Sequence, residues 1–506
     1  MLELKNISLS LLINDRKLIE GFNFTLNRGD KAVIIGEEGN GKSTLLQFIY
    51  DETKIEDYCK HVGQIVKKGK LAYLPQFFPE SYLDLGIDEF FVDVEMTAHI
   101  DILLRMGLSL DFVSSTRRIR TLSGGEKIKI QLAKILMSQP DIILLDEPTN
   151  DLDLSTLTWL EEFIKSCEQP LVYISHDETL IENTANVIIH LEQLDRKRKY
   201  RVTVTRSGYG EYVKTRNLGF DKQMQVAKKQ RSDHRAQMER WQQIYSRVEH
   251  EQRTITRQDP FKVKKLKKKM KSVKSTGKRL ERNAEDFAPL PQMEIAILTK
   301  FNPEISIPHG KSILSLELPM LLAGDKRIAG DIRLEIQGPE RIGIVGSNGT
   351  GKSTLLREIW SELKWRKDIT ASYMPQDYSE ILDCNQAVIE FLASDSHKDT
   401  ITKVRTYLGS MRFTHDEMLG KIGRLSGGQK AKILFLDMVL KNANVLILDE
   451  PTRNFSPLSA PEIRRTLKEF NGAIISVSHD RKFLSEVCER VYELENGGLR
   501  QSLLYS

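Results

Sequence analysis

The sequence predicts an α/β protein: two copies of one parallel-sheet domain joined by a long, basic α-helical hairpin. Three observations predict it. Five short motifs recur in the same order in the two halves of the 506-residue chain. Apolar runs beside them, such as KAVII and IILL, do not alternate with polar residues, as expected of strands covered on both faces. The segment between the halves is one-sidedly basic and spaces its apolar residues three and four apart.

The repeat sets the frame. GEEGNGKST at 36–44 recurs as GSNGTGKST at 346–354, and YLPQ at 73–76 as YMPQ at 373–376. LSGGEK at 122–127 recurs as LSGGQK at 425–430, IILLDEPT at 142–149 as VLILDEPT at 445–452, and ISHD at 174–177 as VSHD at 477–480. Ser123 precedes Glu147 by 24 residues, as Ser426 precedes Glu450; Glu147 precedes His176 by 29, as Glu450 precedes His479. Agreement in order and spacing places the copies at 1–205 and 289–506, with a linker over 206–288.

Each motif has a chemical reading. Gly36-x4-Gly41-Lys42-Ser43 and Gly346-x4-Gly351-Lys352-Ser353 match a phosphate-binding loop between an apolar strand and an amphipathic helix. Backbone N–H groups of such a loop wrap a polyphosphate, and the helix adds its positive end. The candidate ATP contacts are Gly36, Glu37, Glu38, Gly39, Asn40, Gly41, Lys42, Ser43 and Thr44, and then Gly346, Ser347, Asn348, Gly349, Thr350, Gly351, Lys352, Ser353 and Thr354. Lys42 and Lys352 would neutralise the β- and γ-phosphates. Ser43, Asp146 and Gln76, and likewise Ser353, Asp449 and Gln376, are the candidate Mg²⁺ ligands. Glu147 and Glu450 are placed to polarise the attacking water, with Gln76 and Gln376 bridging to it and His176 and His479 aimed at the γ-phosphate. A lone histidine is more often a core or surface residue, but two at equal distance from an Asp-Glu pair are better read as functional.

The phosphate loop together with LSGG, DEPT and the histidine motif resembles the ATP-binding-cassette family across both halves. The resemblance implies cassettes stacked head to tail, each ATP lying between one phosphate loop and the other cassette's LSGG. Lys42 would share an ATP with Ser426 and Gly428, and Lys352 with Ser123 and Gly125. After DEPT the first half has Asn150-Asp151-Leu152-Asp153. The second has Arg453-Asn454-Phe455-Ser456-Pro457, without the acids, which leaves the equivalence of the two sites open. Ile13 stands where this family usually stacks an aromatic on adenine.

Composition narrows the class. No run approaches the ~18 apolar residues of a membrane helix, and MLELKNISLS does not read as a signal peptide. Four scattered cysteines exclude a disulfide framework, a zinc ribbon and a cysteine-ligated iron–sulfur cluster, so a cytoplasmic location is expected. Residues 211–282 carry 22 Lys/Arg against 8 Asp/Glu, while the remainder carries 53 against 62. A basic segment in an acidic body favours a polyanion, nucleic acid first. A solvated helical surface explains high charge, but less easily a single sign. Val263, Leu266, Met270, Val273, Gly277 and Leu280 follow a 3-4-3-4-3 spacing, and Met238, Trp241, Tyr245 and Val248 follow 3-4-3. This predicts antiparallel helices over 211–253 and 260–286, the first about 60 Å long at 1.5 Å per residue. Asp259 and Pro260 suit the start of the second. Arg253, Arg257, Phe261, Lys262, Lys264, Lys265, Lys267, Lys268, Lys269 and Lys271 are the candidate RNA contacts, with Ile255 and Phe261 offering apolar contact at the tip.

Two cassettes without a membrane segment, joined by such a linker, resemble the ABC-F group. That resemblance implies a cytoplasmic, ribosome-associated ATPase using ATP and Mg²⁺. It implies ribosomal RNA and tRNA as partners, no membrane, and a monomer whose two cassettes pair with each other. The hairpin would reach from the tRNA exit site toward the peptidyl-transferase centre. Only 47 residues separate Gln76 from Ser123, so no arm is inserted in the first cassette, and the chain ends soon after the second. PTRNFSPLSAPEIRR at 451–465 resembles the antibiotic-resistance members that protect the ribosome. The alternatives are a translation factor for stalled ribosomes and, in a different class, the ATP-binding subunit of a transporter.

Overall fold

The computed structural model describes residues 1–13, 15–194, 199–254, 260–285, 287–288, 290–291, 300–323, 326–393, 397–495 and 498–502. The chain forms two compact units. One joins Met1–Tyr209 with Glu294–Ser506 and holds both cassettes; the other is Gly210–Met293.

Each cassette is built on a six-stranded sheet of the same order. In the first the order is Leu71–Leu74, Ile142–Asp146, Leu171–Ile174, Lys31–Ile35, Val187–Leu194, Lys199–Thr205. In the second it is Ala371–Met374, Val445–Asp449, Ala473–Val477, Arg341–Val345, Arg490–Glu495, Gly498–Gln501. The first five strands are parallel and the sixth returns antiparallel. The central strands Lys31–Ile35, Ile142–Asp146 and Val445–Asp449 are buried throughout, which explains their unbroken apolar sequences. Each fully buried Val, Leu or Ile contributes about 1.5–3 kcal/mol.

Register positions the chemistry. Ile34 and Asp146 both lie level with Ile174, and Leu74 with Leu145. The phosphate loop, Gln76, Glu147 and His176 therefore leave the sheet at one edge, the carboxyl edge, where open α/β sheets bind ligands. Ile344 and Asp449, both level with Val477, repeat this in the second cassette. The cassettes differ in the smaller sheet beside this core. The first has three strands, Lys17–Leu26, Leu2–Leu11 and Cys59–Lys67; the second pairs Ser312–Ala323 with Lys326–Gln337.

The other unit contains the helices Tyr209–Thr254 and Pro260–Glu285, within two residues of the spans predicted by the apolar spacing. They run antiparallel. Lys269 pairs with Glu251 at 3.5 Å, Trp241 Nε1–H donates to the Val273 carbonyl at 2.8 Å, and His234 Nε2 donates to Leu280 O at 3.1 Å. The Trp241 indole lies where a Cβ on Gly277 would sit, so this glycine is what lets the ring cross the seam. Val248, Met270 and Leu280 are buried. Ile255, Arg257 and Asp259 lie outside the described residues, so the expected cap and tip contacts there are not seen. No helix among the described residues is long and apolar enough to cross a membrane.

Candidate nucleotide sites

The phosphate loops are shaped by their glycines. Gly36 and Gly346 have φ of +148° and +150°, and a Cβ on either would run into the backbone carbonyl of Leu191 or Leu494. Gly41 and Gly351, at φ +87° and +91°, open the helices Lys42–Tyr50 and Lys352–Leu363. Lys42 Nζ donates to Gly36 O at 2.9 Å and Glu37 O at 3.2 Å; Lys352 Nζ donates to Gly346 O at 2.7 Å and Ser347 O at 3.0 Å. Both ammonium groups are thus held inside the loop they serve. Thr44 and Thr354 line the two cavities, and Asn40 Nδ2 ties its loop to Leu191 O at 3.0 Å. Thr350 Oγ1 closes the second loop on Ser347 O at 2.9 Å.

The acids sit at the strand ends. Ser43 Oγ donates to Asp146 Oδ1 at 2.9 Å, and Tyr73 OH donates to Oδ2 at 2.9 Å. Burial raises the Asp146 carboxyl to about 6 although both hydroxyls oppose it. In the second cassette both Asp449 oxygens are buried without a hydrogen-bond partner, beside Ser353. An orphaned carboxylate near a serine hydroxyl and a glutamine amide is the hard-oxygen donor set that Mg²⁺ takes. Glu147 and Glu450 have φ of +47° and +52°, a strained conformation held by the surrounding fold.

Around those glutamates the cassettes diverge. Glu147 Oε2 accepts from Gln76 Nε2 at 2.9 Å and Asn150 Nδ2 at 2.8 Å, and His176 Nε2 lies 3.4 Å from Oε1. Burial pushes Glu147 up, but His176, Lys42 and Asn150 together outweigh it and hold the carboxyl at about 2. Among the described residues, Glu450 accepts only the His479 backbone N–H at 3.3 Å on Oε2, while its buried Oε1 has no hydrogen bond and lies 3.7 Å from His479 Nε2. Burial, with Asp449 adjacent, raises Glu450 to about 8. Burial, with Lys352 adding to it, pushes His479 down to about 4.

Both sites are completed across the cassettes. The Lys42 cavity, about 690 Å³, is also lined by Ser426, Arg453 and Asn454. The Lys352 cavity, about 580 Å³, is also lined by Gly124, Asp151 and His176. Ser123 and Ser426 cap the LSGG helices by accepting from Glu126 N and Gln429 N, which orients the loop N–H groups. Gly124 rather than Ser123 or Gly125 lines the Lys352 cavity; Gly125 is buried against Thr156. Gly428 N–H donates to Glu38 Oε2 at 2.8 Å, and Ser456 Oγ donates to Glu37 Oε1 at 2.6 Å. His176 Nδ1–H donates to Phe455 O at 2.8 Å, Arg453 pairs with Asp151 at 2.8 Å, and Asn348 Nδ2 donates to Asp151 O. Buried Arg464 joins Glu178 of the first cassette at 2.8 Å and Glu486 of its own at 2.8 Å. This is the head-to-tail arrangement expected from LSGG.

Sequence reasoning missed Tyr73, Asn150, the Phe455 carbonyl and Arg464. Only Tyr73 carried a signal, since a tyrosine opens YLPQ and recurs in YMPQ. Ile13 is 91% exposed; aliphatic Leu18 and Ile328 instead lie against the two phosphate loops. In the hairpin unit Phe261, Lys262, Lys264, Lys265, Lys267, Lys268, Lys269 and Lys271 are exposed, and Arg253 pairs with Glu249 at 3.2 Å.

A family model described as ABC transporter matches residues 19–150 and 329–453. The chain is similar to ATP-binding protein Uup of Buchnera aphidicola subsp. Schizaphis graminum, with 28% identity over 97% of this chain and 80% of that one. It is similar to ABC transporter F family member 2 of Arabidopsis thaliana, with 27% identity over 95% and 75%. A solved structure of the archaeal ribosome recycling factor aABCE1 with ribosomal stalk protein aP1 has a TM-score of 0.57 and 16% identity, over 98% of this chain and 89% of that one. That is a likeness of fold.

Proposed function

Because the chain belongs to the ABC transporter family and is an ATP hydrolase, we propose that it is an ABC-F type ATPase that works on the ribosome. One observation carries the reading. A chain with two cassettes, and no described helix fit to cross a membrane, also contains a basic antiparallel hairpin with a row of exposed lysines. Relatives named as F family members and the ribosome-linked solved structure support it.

In this reading each phosphate loop and the opposing LSGG clamp one ATP, so binding holds the cassettes together and hydrolysis releases them. Lys42 and the loop N–H groups bind the phosphates. Gln76 and Glu147 hold the water, and Glu147 takes its proton as the γ-phosphoryl group leaves. His176, fixed by Phe455 O, orients Glu147. Ser43 and Asp146, or Ser353 and Asp449, would hold Mg²⁺, which supplies charge neutralisation between the phosphates. The hairpin lysines bind RNA phosphates with a strong salt dependence.

The finer reading is protection from ribosome-targeting antibiotics: the hairpin enters from the tRNA exit site toward the peptidyl-transferase centre and displaces the drug. PTRNFSPLSAPEIRR at 451–465 supports it. The translation-factor reading is equally compatible with the F family relatives. Co-sedimentation with ribosomes tests the shared core: with ATP, the Glu147→Gln/Glu450→Gln chain pellets with ribosomes in near-stoichiometric amount, and an absence of pelleting overturns ribosome binding. Growth of a susceptible host on a lincosamide, pleuromutilin or streptogramin A then separates the finer readings. Protection that disappears when Arg253–Asp259 is replaced by a Gly/Ser turn supports resistance; no protection by the unaltered chain leaves the translation factor.

A further inference from the structure

The first phosphate loop carries two adjacent carboxylates, Glu37 and Glu38, where the second carries Ser347 and Asn348. An acid inside a loop that collects phosphate charge opposes its ligand. Both acids are nevertheless engaged, and both reach across to the other cassette. Glu38 Oε2 accepts the Gly428 N–H at 2.8 Å. Glu37 Oε1 accepts the hydroxyls of Ser456, at 2.6 Å, and Ser459. Glycines make the approach feasible, since a Cβ on Gly427 would stand 3.1 Å from Glu38 Oε2. Glu38 also lines the Lys42 cavity together with Ser426. At the Lys352 site the corresponding contact is neutral: Asn348 Nδ2 donates to Asp151 O.

We infer that Glu38 is a specificity-determining residue of the Lys42 site: its carboxylate occupies the LSGG N–H donor that a γ-phosphate must take, so a triphosphate has to displace it and a diphosphate does not. The inference rests on the reading that the Lys42 loop and Ser426–Gly428 share one ATP. The chemistry is a competition between two anions for one N–H group at a helix start. A bound diphosphate ends short of this donor, so the Glu38–Gly428 contact persists. At the Lys42 site Glu38 therefore competes with a triphosphate and not with ADP, while the Lys352 loop carries Ser347 and Asn348 in place of the two acids.

The test uses the full chain carrying Lys352→Ala, so that only the Lys42 site reports. Dissociation constants are measured with Mg²⁺ for the β,γ-imido analogue of ATP and for ADP. Glu38→Ala is expected to improve the ratio of analogue to ADP affinity by about tenfold, the scale of losing one charge-assisted hydrogen bond from the competing state. Simple relief of negative charge tightens both nucleotides alike, and an unchanged ratio overturns the inference. Glu38→Gln, which keeps the shape and removes the charge, is expected to fall between. Hydrogen exchange over 425–430 in nucleotide-free protein supplies a second readout. Gly428 is expected to exchange faster in Glu38→Ala, and an unchanged rate also overturns the contact. If the Lys352→Ala chain with Glu38 intact binds neither nucleotide, the ATP-site reading itself fails, a result distinct from an unchanged ratio.

Discussion

The Lys42 site and the Lys352 site share every motif and the same strand register, yet their glutamates live in opposite electrostatic states. Glu147 is ringed by Gln76, Asn150 and His176 and is held at about 2; Glu450 has one backbone donor and a buried, unpartnered oxygen and is raised to about 8. The divergence comes from one substitution after DEPT and one backbone contact across the cassettes. Asn150 gives Glu147 an amide, whereas Arg453 turns away to pair with Asp151. Phe455 O anchors His176, while the buried His479 Nδ1 has no hydrogen bond. Motif identity preserves which residues are present. The neighbours decide which of them is ready to act as a base at neutral pH.

The largest expected effect tests this directly. With Lys352→Ala silencing the other site, Glu147→Gln should lower ATP turnover at pH 7 by about 10²–10⁴-fold, the range for a general base. Glu450→Gln should cost far less, because its carboxyl is already mostly protonated. Steady-state turnover of the two variants, each with the opposite lysine replaced by Ala, checks the order. Equal losses would break the comparison and make the sites equivalent.

The sequence made the shared part of this picture legible and hid the differing part. Duplication and motif spacing disclosed the sheets and the loops, because phosphate chemistry needs fixed residue types at fixed strand ends; the pairing of Lys42 with Ser426 was implied by the resemblance to the cassette family. The 3-4 spacing disclosed both hairpin helices, because a coiled-coil seam needs apolar residues on one face. The contacts that distinguish the sites join residues hundreds apart, as with Glu37 and Ser456, or use a backbone oxygen, as with Phe455. Spacing does not record either. The protonation of Glu450 arises from burial among particular neighbours, and no local pattern encodes it.

A middle-sized effect concerns the histidines. His176 is pinned on Nδ1 by the Phe455 carbonyl, which sets its Nε2 3.4 Å from Glu147 Oε1. His176→Ala should lower turnover at the Lys42 site by about 10–100-fold and shift the acid limb of its pH profile upward, since a downward influence on Glu147 is lost. His479→Ala should change turnover at the Lys352 site by less than about threefold, because it faces Glu450 only at 3.7 Å. Each variant is assayed with the opposite lysine replaced by Ala. A larger loss from His479→Ala would reverse the ranking.

The smallest expected effect is a pH dependence confined to one site. Four groups face Glu450: Asp449 raises it after burial, and Lys352, Arg453 and the His479 backbone N–H lower it. The balance leaves it at about 8, so below that pH it is chiefly a carboxylic acid and cannot take a proton from water. His479, pushed down to about 4, is neutral throughout the range above pH 6 and does not compensate. In a Glu147→Gln chain, where the Lys352 site carries the remaining turnover, kcat/KM should therefore rise about tenfold between pH 7 and pH 9, the change in the ionised fraction of a group titrating near 8. In a Glu450→Gln chain it should stay flat over pH 6–9, because Glu147, at about 2, is ionised across that whole interval. A flat profile for the Lys352 site would mean that Glu450 is already ionised when ATP is bound, and the difference between the sites would then lie in their hydrogen bonding rather than in their charge.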